Sequence, residues 1–216
     1  MEAIDVGFNS KDIEEKFNGA KWDSELGKFL ESEGVYFEVI DGLVCIKSKP
    51  FNHDVAKKVL MEVINQYLSD KGLKCEAMNE MRIVRNSNND YLIPDVVVLA
   101  YGEGKLASNG MYSGTPRLVA EIMSSNREDD LKKKRLLYAE MEIPEYWIID
   151  LDGDCITQHI LKGTTYGSKH EVFTEGLVEH HICGLKVDIM DLFYKISKKL
   201  ELFGVSSNSM NNTKFF

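Results

Sequence analysis

The spacing of hydrophobic and polar positions changes several times along the 216-residue chain, and each spacing predicts a different element. Apolar residues recur every three or four positions over about 53–71, which predicts one long amphipathic helix. By contrast, the segments 92–101 and 118–123 are apolar on both faces, which predicts strands in the middle of a sheet. Each of these two strands carries a single acid, Asp95 in the first and Glu121 in the second.

Turn and cap residues delimit the remaining elements. The dipeptide Asp41-Gly42 lies between two β-prone runs and predicts a hairpin. Gly34 and Gly72 follow two helical patterns and end them, and a third helix stops before Pro144. Together these signals predict helices over about 11–17, 22–33, 53–71 and 128–141, strands over 35–40, 43–46, 75–84, 92–101, 118–123, 145–150 and 155–161, and a flexible polar loop over 102–114.

The length and composition suit one compact domain with short appendages. Hydrophobic residues make up 44% of the chain, which is ample for a sizeable core. The last residues are rich in serine and asparagine, which is typical of a mobile terminus. We therefore expect an N-terminal helical arm over 1–33, a main domain over 34–200 and a mobile tail over 201–216.

Net charge narrows the classes of function. The chain carries 26 Lys and Arg against 35 Asp and Glu, a formal charge of −9. This balance excludes a protein that coats nucleic acid non-specifically or binds membranes through a polybasic segment, while a local basic patch is still allowed. We expect no membrane span and no signal peptide. The four cysteines lie far apart in the sequence, which favours reduced thiols and a cytoplasmic location.

The acids inside the two apolar strands are the first candidates for chemistry. An ionised carboxylate in such a strand is costly unless it meets a cation or several donors. Two of them, on strands that can lie side by side, predict a shared hard cation such as Mg²⁺. The competing interpretation is that Arg82, Arg117 or backbone amides neutralise two buried structural acids.

A basic run on the following helix supplies positive charge near this pair. Asp130, Lys134 and Tyr138 are spaced i, i+4 and i+8 and so share one helix face. A lysine on that face can reach the acids and hold a water or a phosphate oxygen, although a solvent-facing lysine is the alternative. Two metal-binding acids and a positive group are what phosphodiester hydrolysis needs.

An ordered set of motifs resembles the Uma2 family of restriction-endonuclease-like proteins, in the PD-(D/E)XK nuclease-like superfamily. The pieces are Pro94-Asp95, Glu121-Ile122-Met123-Ser124, the Asp130, Lys134 and Tyr138 series, and Pro144-Glu145-Tyr146-Trp147-Ile148-Ile149-Asp150. The segment 37–42 and His53 fit the same pattern. The resemblance implies an α/β (α+β) restriction-endonuclease-like core, in which helices flank a mixed central β-sheet.

The resemblance also implies roles for individual residues. Asp95, Glu121 and Lys134 are the implied catalytic residues. Asp95, Glu121 and the Ile122 carbonyl would hold Mg²⁺ or Mn²⁺, and DNA would be the substrate. The superfamily usually has a lysine two residues after the second acid, where this chain has Met123, and Lys134 takes its place. The secondary candidates are Glu80, Asp130 and His53, and the candidates for phosphate contact are Lys132, Lys133 and Arg135.

Several alternatives stay open at this stage. The chain is either a Mg²⁺-dependent DNA endonuclease or an inactive nuclease-like scaffold that binds nucleic acid or a protein partner. A transposon-associated or repair-type nuclease would share the chemistry and differ in substrate. The resemblance makes a homodimer plausible, since two active sites then address both strands. The pair His180-His181 lacks a further ligand at suitable spacing and favours a loop feature over a metal site.

Overall fold

The structure is a computed structural model that describes residues 10–47, 50–85, 90–123, 128–167, 170–181 and 184–205. For Ser10 and residues 128–130, only the backbone is described. The part of the expected mobile tail beyond residue 205 lies outside this range. Among the described helices, none is both long and apolar enough to cross a membrane.

Most of the described elements lie where the sequence predicts helices and strands. The helices are α1 (Ser10–Phe17), α2 (Ser24–Ser32), α3 (Phe51–Asp70), α4 (Glu128–Glu140) and α5 (Ile189–Leu202). The strands are β1 (Phe37–Ile40), β2 (Leu43–Ile46), β3 (Cys75–Asn79), β4 (Arg82–Val84), β5 (Tyr91–Leu92), β6 (Val96–Ala100), β7 (Lys105–Leu106), β8 (Met111–Ser113), β9 (Leu118–Met123), β10 (Glu145–Asp150), β11 (Cys155–Ile160), β12 (Glu171–Phe173), β13 (Leu177–Glu179) and β14 (Lys186–Asp188). This confirms the prediction of a mixed α/β fold.

The chain forms two compact units, and the first consists of residues 1–49 and 82–93. Its strands run in the order β2-β1-β5-β4, and each pairing is antiparallel. The predicted hairpin between β1 and β2 is confirmed. Asp41 and Gly42 both have positive φ, 56° and 75°, as the tightest hairpin turns require. The Asp90 carboxylate accepts hydrogen bonds from both of their N–H groups, at 2.9 and 3.0 Å.

The second unit, residues 50–81 and 94–216, contains a six-stranded sheet in the order β12-β11-β10-β9-β6-β3. β9 and β10 are parallel, and the other pairings are antiparallel, so the sheet is mixed. Helices α3 and α5 pack on one face, where Leu60, Ile196, Ala120 and Trp147 belong to one buried cluster. Because side chains alternate along a strand, Glu121 points to the other face, which α4 covers.

Three predicted segments differ from the structure for local reasons. The predicted strand over 75–84 is broken at Glu80, whose φ of 55° belongs to the left-handed region and ends the ladder. The strand over 92–101 is broken at Pro94, which has no N–H to donate. The predicted loop over 102–114 contains the short hairpin of β7 and β8.

The prediction of an arm over 1–33, a domain over 34–200 and a tail over 201–216 stays a prediction.

Candidate active site

Glu121 is completely buried in β9 and is held by two side chains of α4. Lys134 Nζ donates to Glu121 Oε1 at 2.8 Å, and the Tyr138 hydroxyl donates to the same oxygen at 2.5 Å. Lys134 and Tyr138 are also fully shielded from solvent. The ammonium and the hydroxyl offset the cost of burying a carboxylate inside an apolar strand.

Lys134 is the member of the basic run on α4 that turns toward the sheet. Lys132 and Lys133 are exposed, and Arg135 is half-buried and donates to the Gly167 carbonyl at 3.3 Å. The helical period of 3.6 residues explains the difference, because Lys134 and Tyr138 lie one turn apart on the buried face. The backbone of Asp130 belongs to α4, but its side chain lies outside the described residues, so its role stays a prediction.

Asp95 stands directly before β6, and its carboxylate contacts the backbone of β9. Asp95 Oδ2 accepts a hydrogen bond from the Ile122 N–H at 2.9 Å. In the antiparallel pairing of β6 with β9, Val96 lies opposite Ala120. The same register extended by one residue pairs Asp95 with Glu121. The two acids therefore belong to the same end of neighbouring strands.

His53, in the first turn of α3, contacts the same part of β9. Its Nε2 lies 2.6 Å from the Ile122 carbonyl oxygen and 3.3 Å from Asp95 Oδ2. A carbonyl oxygen only accepts hydrogen bonds, so Nε2 carries the proton and donates it. The side chain is buried. Consequently, the Asp95 carboxylate and the Ile122 carbonyl both lie next to His53 Nε2.

Lys57 is a buried lysine near the site that sequence reasoning missed. Its Nζ lies 2.8 Å from Asp54 Oδ1 and 3.3 Å from Glu80 Oε1. Burial alone would lower its pKa, but the hydrogen bond to Asp54 and the negative charges of Asp95, Asp54 and Glu80 outweigh burial and raise the pKa above its ordinary value. A usable signal was present, because Lys57 follows His53 by four residues and so lies on the same face of α3.

Glu80 approaches the Lys57 ammonium from the end of β3. It follows β3, is exposed, and contacts Lys57. Lys57 also interacts electrostatically with Asp95, so Glu80 and Asp95 share one cation. This arrangement suits a structural partner of the site as well as a third metal ligand.

The arginines proposed as partners of the buried acids pair with other residues. Arg82 forms an ion pair with Glu31 at 2.8 Å, and Arg117 pairs with Glu103. Asp95 is instead held by a backbone amide and Glu121 by Lys134. The backbone-amide part of the competing interpretation therefore applies to Asp95.

The pair His180-His181 belongs to a different buried group, around Glu145. Glu145 Oε2 accepts from the His181 N–H at 2.8 Å and lies 3.8 Å from His180 Nδ1. Glu145 Oε1 accepts from Trp147 Nε1 and Gln158 Nε2, at 2.5 Å each. This network holds the loop after β13 against the sheet.

The oxygen donors at this end of β6 and β9 are of the kind that a hard cation takes. Within the described part of the chain, no three His, Cys, Asp or Glu side chains gather as a metal site. Mg²⁺, however, is commonly held by one or two carboxylates and keeps several waters. The Asp95 carboxylate and the Ile122 carbonyl already converge on His53 Nε2, and Glu121 immediately precedes Ile122. A donor set of two carboxylates and one carbonyl suits Mg²⁺ or Mn²⁺.

A further buried histidine, His159 on β11, lies on the sheet face that α4 covers. Its ring stacks on Tyr146, with ring centres 5.6 Å apart. Burial, followed by the positive charges of Arg135 and His170, lowers its pKa to about 4. The imidazole is therefore neutral at physiological pH.

We expect His159 to make the folded state less stable as the pH falls. Between pH 6.5 and about 4, this histidine is protonated in the unfolded chain but not in the folded one, so acid favours unfolding. Lowering the pH from 7.5 to 5 should therefore cost about 2 kcal/mol of unfolding free energy through this residue. Denaturant unfolding of wild type and His159→Phe at both pH values measures it. Equal losses in the two proteins would contradict the prediction.

Comparison with known proteins identifies the family and agrees with the fold. The model of the Uma2 family, described as "Putative restriction endonuclease", matches residues 23–181. A crystal structure of a putative nuclease belonging to DUF820, from Anabaena variabilis, has a TM-score of 0.60 and 23% sequence identity. The match covers 74% of this chain and 90% of that chain, and it shows a shared fold. No curated protein matches the chain significantly. The resemblance drawn from the motifs is thus confirmed.

Proposed function

We propose, because this chain belongs to the Uma2 family of restriction-endonuclease-like proteins, that it is a Mg²⁺-dependent DNA endonuclease. The reaction is hydrolysis of a phosphodiester bond, in which water adds its hydroxyl to phosphorus and the leaving sugar oxygen takes a proton. The observation that carries the proposal is the pair of acids at one end of neighbouring strands, with the Lys134 ammonium 2.8 Å from the Glu121 carboxylate.

Each residue of the site has a defined task in this proposal. Asp95, Glu121 and the Ile122 carbonyl would hold the metal ion. A bound Mg²⁺ would lower the pKa of a water and stabilise negative charge on the phosphate. Lys134 and Tyr138 hold the Glu121 carboxylate in one orientation, and Lys134 also positions the water or the scissile phosphate. His53 fixes the orientation of the Ile122 carbonyl through its Nε2–H.

The surface charge limits how DNA is bound. Lys132 and Lys133 are exposed and Arg135 is half-buried, so these three residues supply phosphate contacts beside the acids. The net charge of −9 leaves most of the remaining surface unfavourable to DNA. Binding should therefore be weak without metal and sensitive to salt.

The experiment that tests the proposal is incubation of the purified protein with supercoiled and linear DNA. We expect cleavage with Mg²⁺ or Mn²⁺ and none when the ions are removed by a chelator. A single-stranded RNA of the same sequence serves as a second substrate and reports whether DNA is preferred. If neither DNA form is cut with either ion, the proposal is wrong.

A second candidate is a scaffold that binds nucleic acid or a protein partner without turnover. The observation in its favour is that Glu121, Lys134 and Tyr138 are fully buried and bonded to one another, as in a purely structural network. Calorimetric titration with Mg²⁺ separates the candidates. Binding that disappears in Asp95→Asn supports the nuclease, whereas no binding by the folded protein supports the scaffold.

Two further parts of the proposal concern assembly and location. A homodimer would present two sites to the two strands of a duplex. Sedimentation of the purified protein with and without DNA measures this. A cytoplasmic location, consistent with reduced cysteines, completes the proposal.

A further inference from the structure

A cavity of about 550 Å³ lies along one flank of α4, beside the sheet. Its volume falls within the range of small-molecule sites. Leu131, Arg135 and Leu136 line it from the helix, and Ile148 and Thr157 line it from β10 and β11. The function proposed above assigns no role to this space.

The cavity is close to the proposed catalytic acid on the same sheet face. Ile148 is the register partner of Glu121 in the parallel pairing of β9 with β10. Met123, two residues after Glu121, also lines the cavity and pairs with Asp150. Neighbouring strands are about 4.8 Å apart, so the floor of the cavity begins one strand away from Glu121.

The chemistry of the lining suits a flat, partly polar ring attached to a phosphate. Met123, Leu131 and Ile148 supply apolar surface, and Lys132 and Arg135 supply two cations at one side. Thr157 and Asp150 add a hydroxyl and a carboxylate, which can bond to the polar edge of a ring. Pockets that receive single bases combine apolar or aromatic walls with a few such polar groups.

His159 gives an independent indication that a ligand belongs here. It lines the cavity, is 4% exposed, and its buried Nδ1 has no hydrogen-bond partner among the described residues. Buried polar atoms are normally bonded, so this nitrogen is a candidate hydrogen-bonding group for a ligand in the cavity. The neutral imidazole can accept or donate one hydrogen bond to the edge of a base.

We propose that this cavity receives one unpaired nucleotide of the nucleic-acid substrate, with its base against the apolar floor and His159 and its phosphate on Lys132 and Arg135. The identity of the ligand as nucleic acid rests on the proposed function. The cavity would then select substrates that have a bulged, unpaired or easily flipped nucleotide beside the scissile bond, because a paired base would have to be extruded first.

The test uses two DNA duplexes that carry 2-aminopurine, in one at a single-nucleotide bulge and in the other at a paired position. Binding is followed by fluorescence in the presence of a chelator, so that it is measured without cleavage. We expect the bulged probe to bind about tenfold more tightly, with quenching of its fluorescence on stacking.

Two variants and one matched control assign the preference to the cavity. We expect Arg135→Gln and His159→Phe each to weaken binding of the bulged probe about fivefold, with little change for the paired probe. Lys198→Gln removes one positive charge from α5, away from the cavity, and should leave the preference intact. Thermal unfolding confirms that each variant is folded.

The outcomes separate this inference from the proposed function. Equal affinity for the two probes, or equal losses in Arg135→Gln and Lys198→Gln, overturns it. Free deoxynucleoside monophosphates that compete with the same affinity as the bulged probe also overturn the inference, because the site would then bind free nucleotides. A bulge preference that depends on Arg135 and His159 supports it, even when Mg²⁺-dependent cleavage is absent and the proposed function fails.

Discussion

Replacement of Asp95 by asparagine or of Glu121 by glutamine is expected to reduce Mg²⁺-dependent DNA cleavage by about a thousandfold or more. Each change keeps the shape of the side chain and removes one negative charge from the proposed metal site. Asp95→Ala and Glu121→Ala should abolish cleavage in the same way. The measurement is the initial rate of plasmid nicking at saturating Mg²⁺, together with calorimetric metal binding.

The control for these variants is Asp191→Asn, which removes a negative charge from the exposed start of α5. It should cut DNA at the wild-type rate. Circular dichroism must show that the Asp95 and Glu121 variants keep their secondary structure. Wild-type rates in folded Asp95→Asn or Glu121→Gln protein would refute the assignment of these acids.

The largest effect on stability is expected from Lys134→Met. The substitution leaves the Glu121 carboxylate buried and without its ammonium, and breaking a buried ion pair in this way costs about 3–5 kcal/mol. Tyr138 still donates to the carboxylate, which limits the loss. Urea unfolding of wild type and variant measures the change.

A double variant distinguishes structural from catalytic roles of the pair. In Lys134→Met combined with Glu121→Leu, both charges are absent, and the folded state should regain most of the lost stability. Cleavage should remain absent, because the proposed metal ligand is gone. A double variant as unstable as Lys134→Met would show that the loss comes from packing and not from the unpaired carboxylate.

The acid pair was predictable because each acid lies within an apolar strand, where burying a charge is unfavourable. A lone Asp or Glu within an apolar strand requires a compensating group, and this requirement alone singled out Asp95 and Glu121. Helical periodicity then indicated that Lys134 and Tyr138 lie on the same face of α4. These inferences depend on local spacing, which a sequence displays directly.

The rest of the site depends on contacts between distant segments. Nothing near His53 in the chain indicates that its ring contacts Ile122, 69 residues away. Lys57 was not predicted because it lies among apolar residues of α3, and a lysine on an amphipathic helix is normally expected to face the solvent. Asp54 lies one turn away on α3, but Glu80 at the end of β3 and Asp95 at the start of β6 come near Lys57 only in the folded protein.

Breaks in strands were missed for a related reason. Glu80 has no sequence signal for a left-handed backbone, since that region favours glycine and asparagine. Pro94 did signal a break, but its apolar neighbours favoured a continuous strand. Helix α5 and the hairpin of β7 and β8 were also not predicted.

The parallel pairing of β9 with β10 has a consequence for folding. Antiparallel strands need only a short turn, but parallel neighbours require a crossover, and α4 is that crossover. Glu121 and Lys134 therefore meet within one β-α-β segment, 13 residues apart. The entropy lost in closing so short a loop is small. The Glu121–Lys134 ion pair therefore forms at a smaller entropic cost than the contact of His53 with Ile122, which closes a loop of 69 residues.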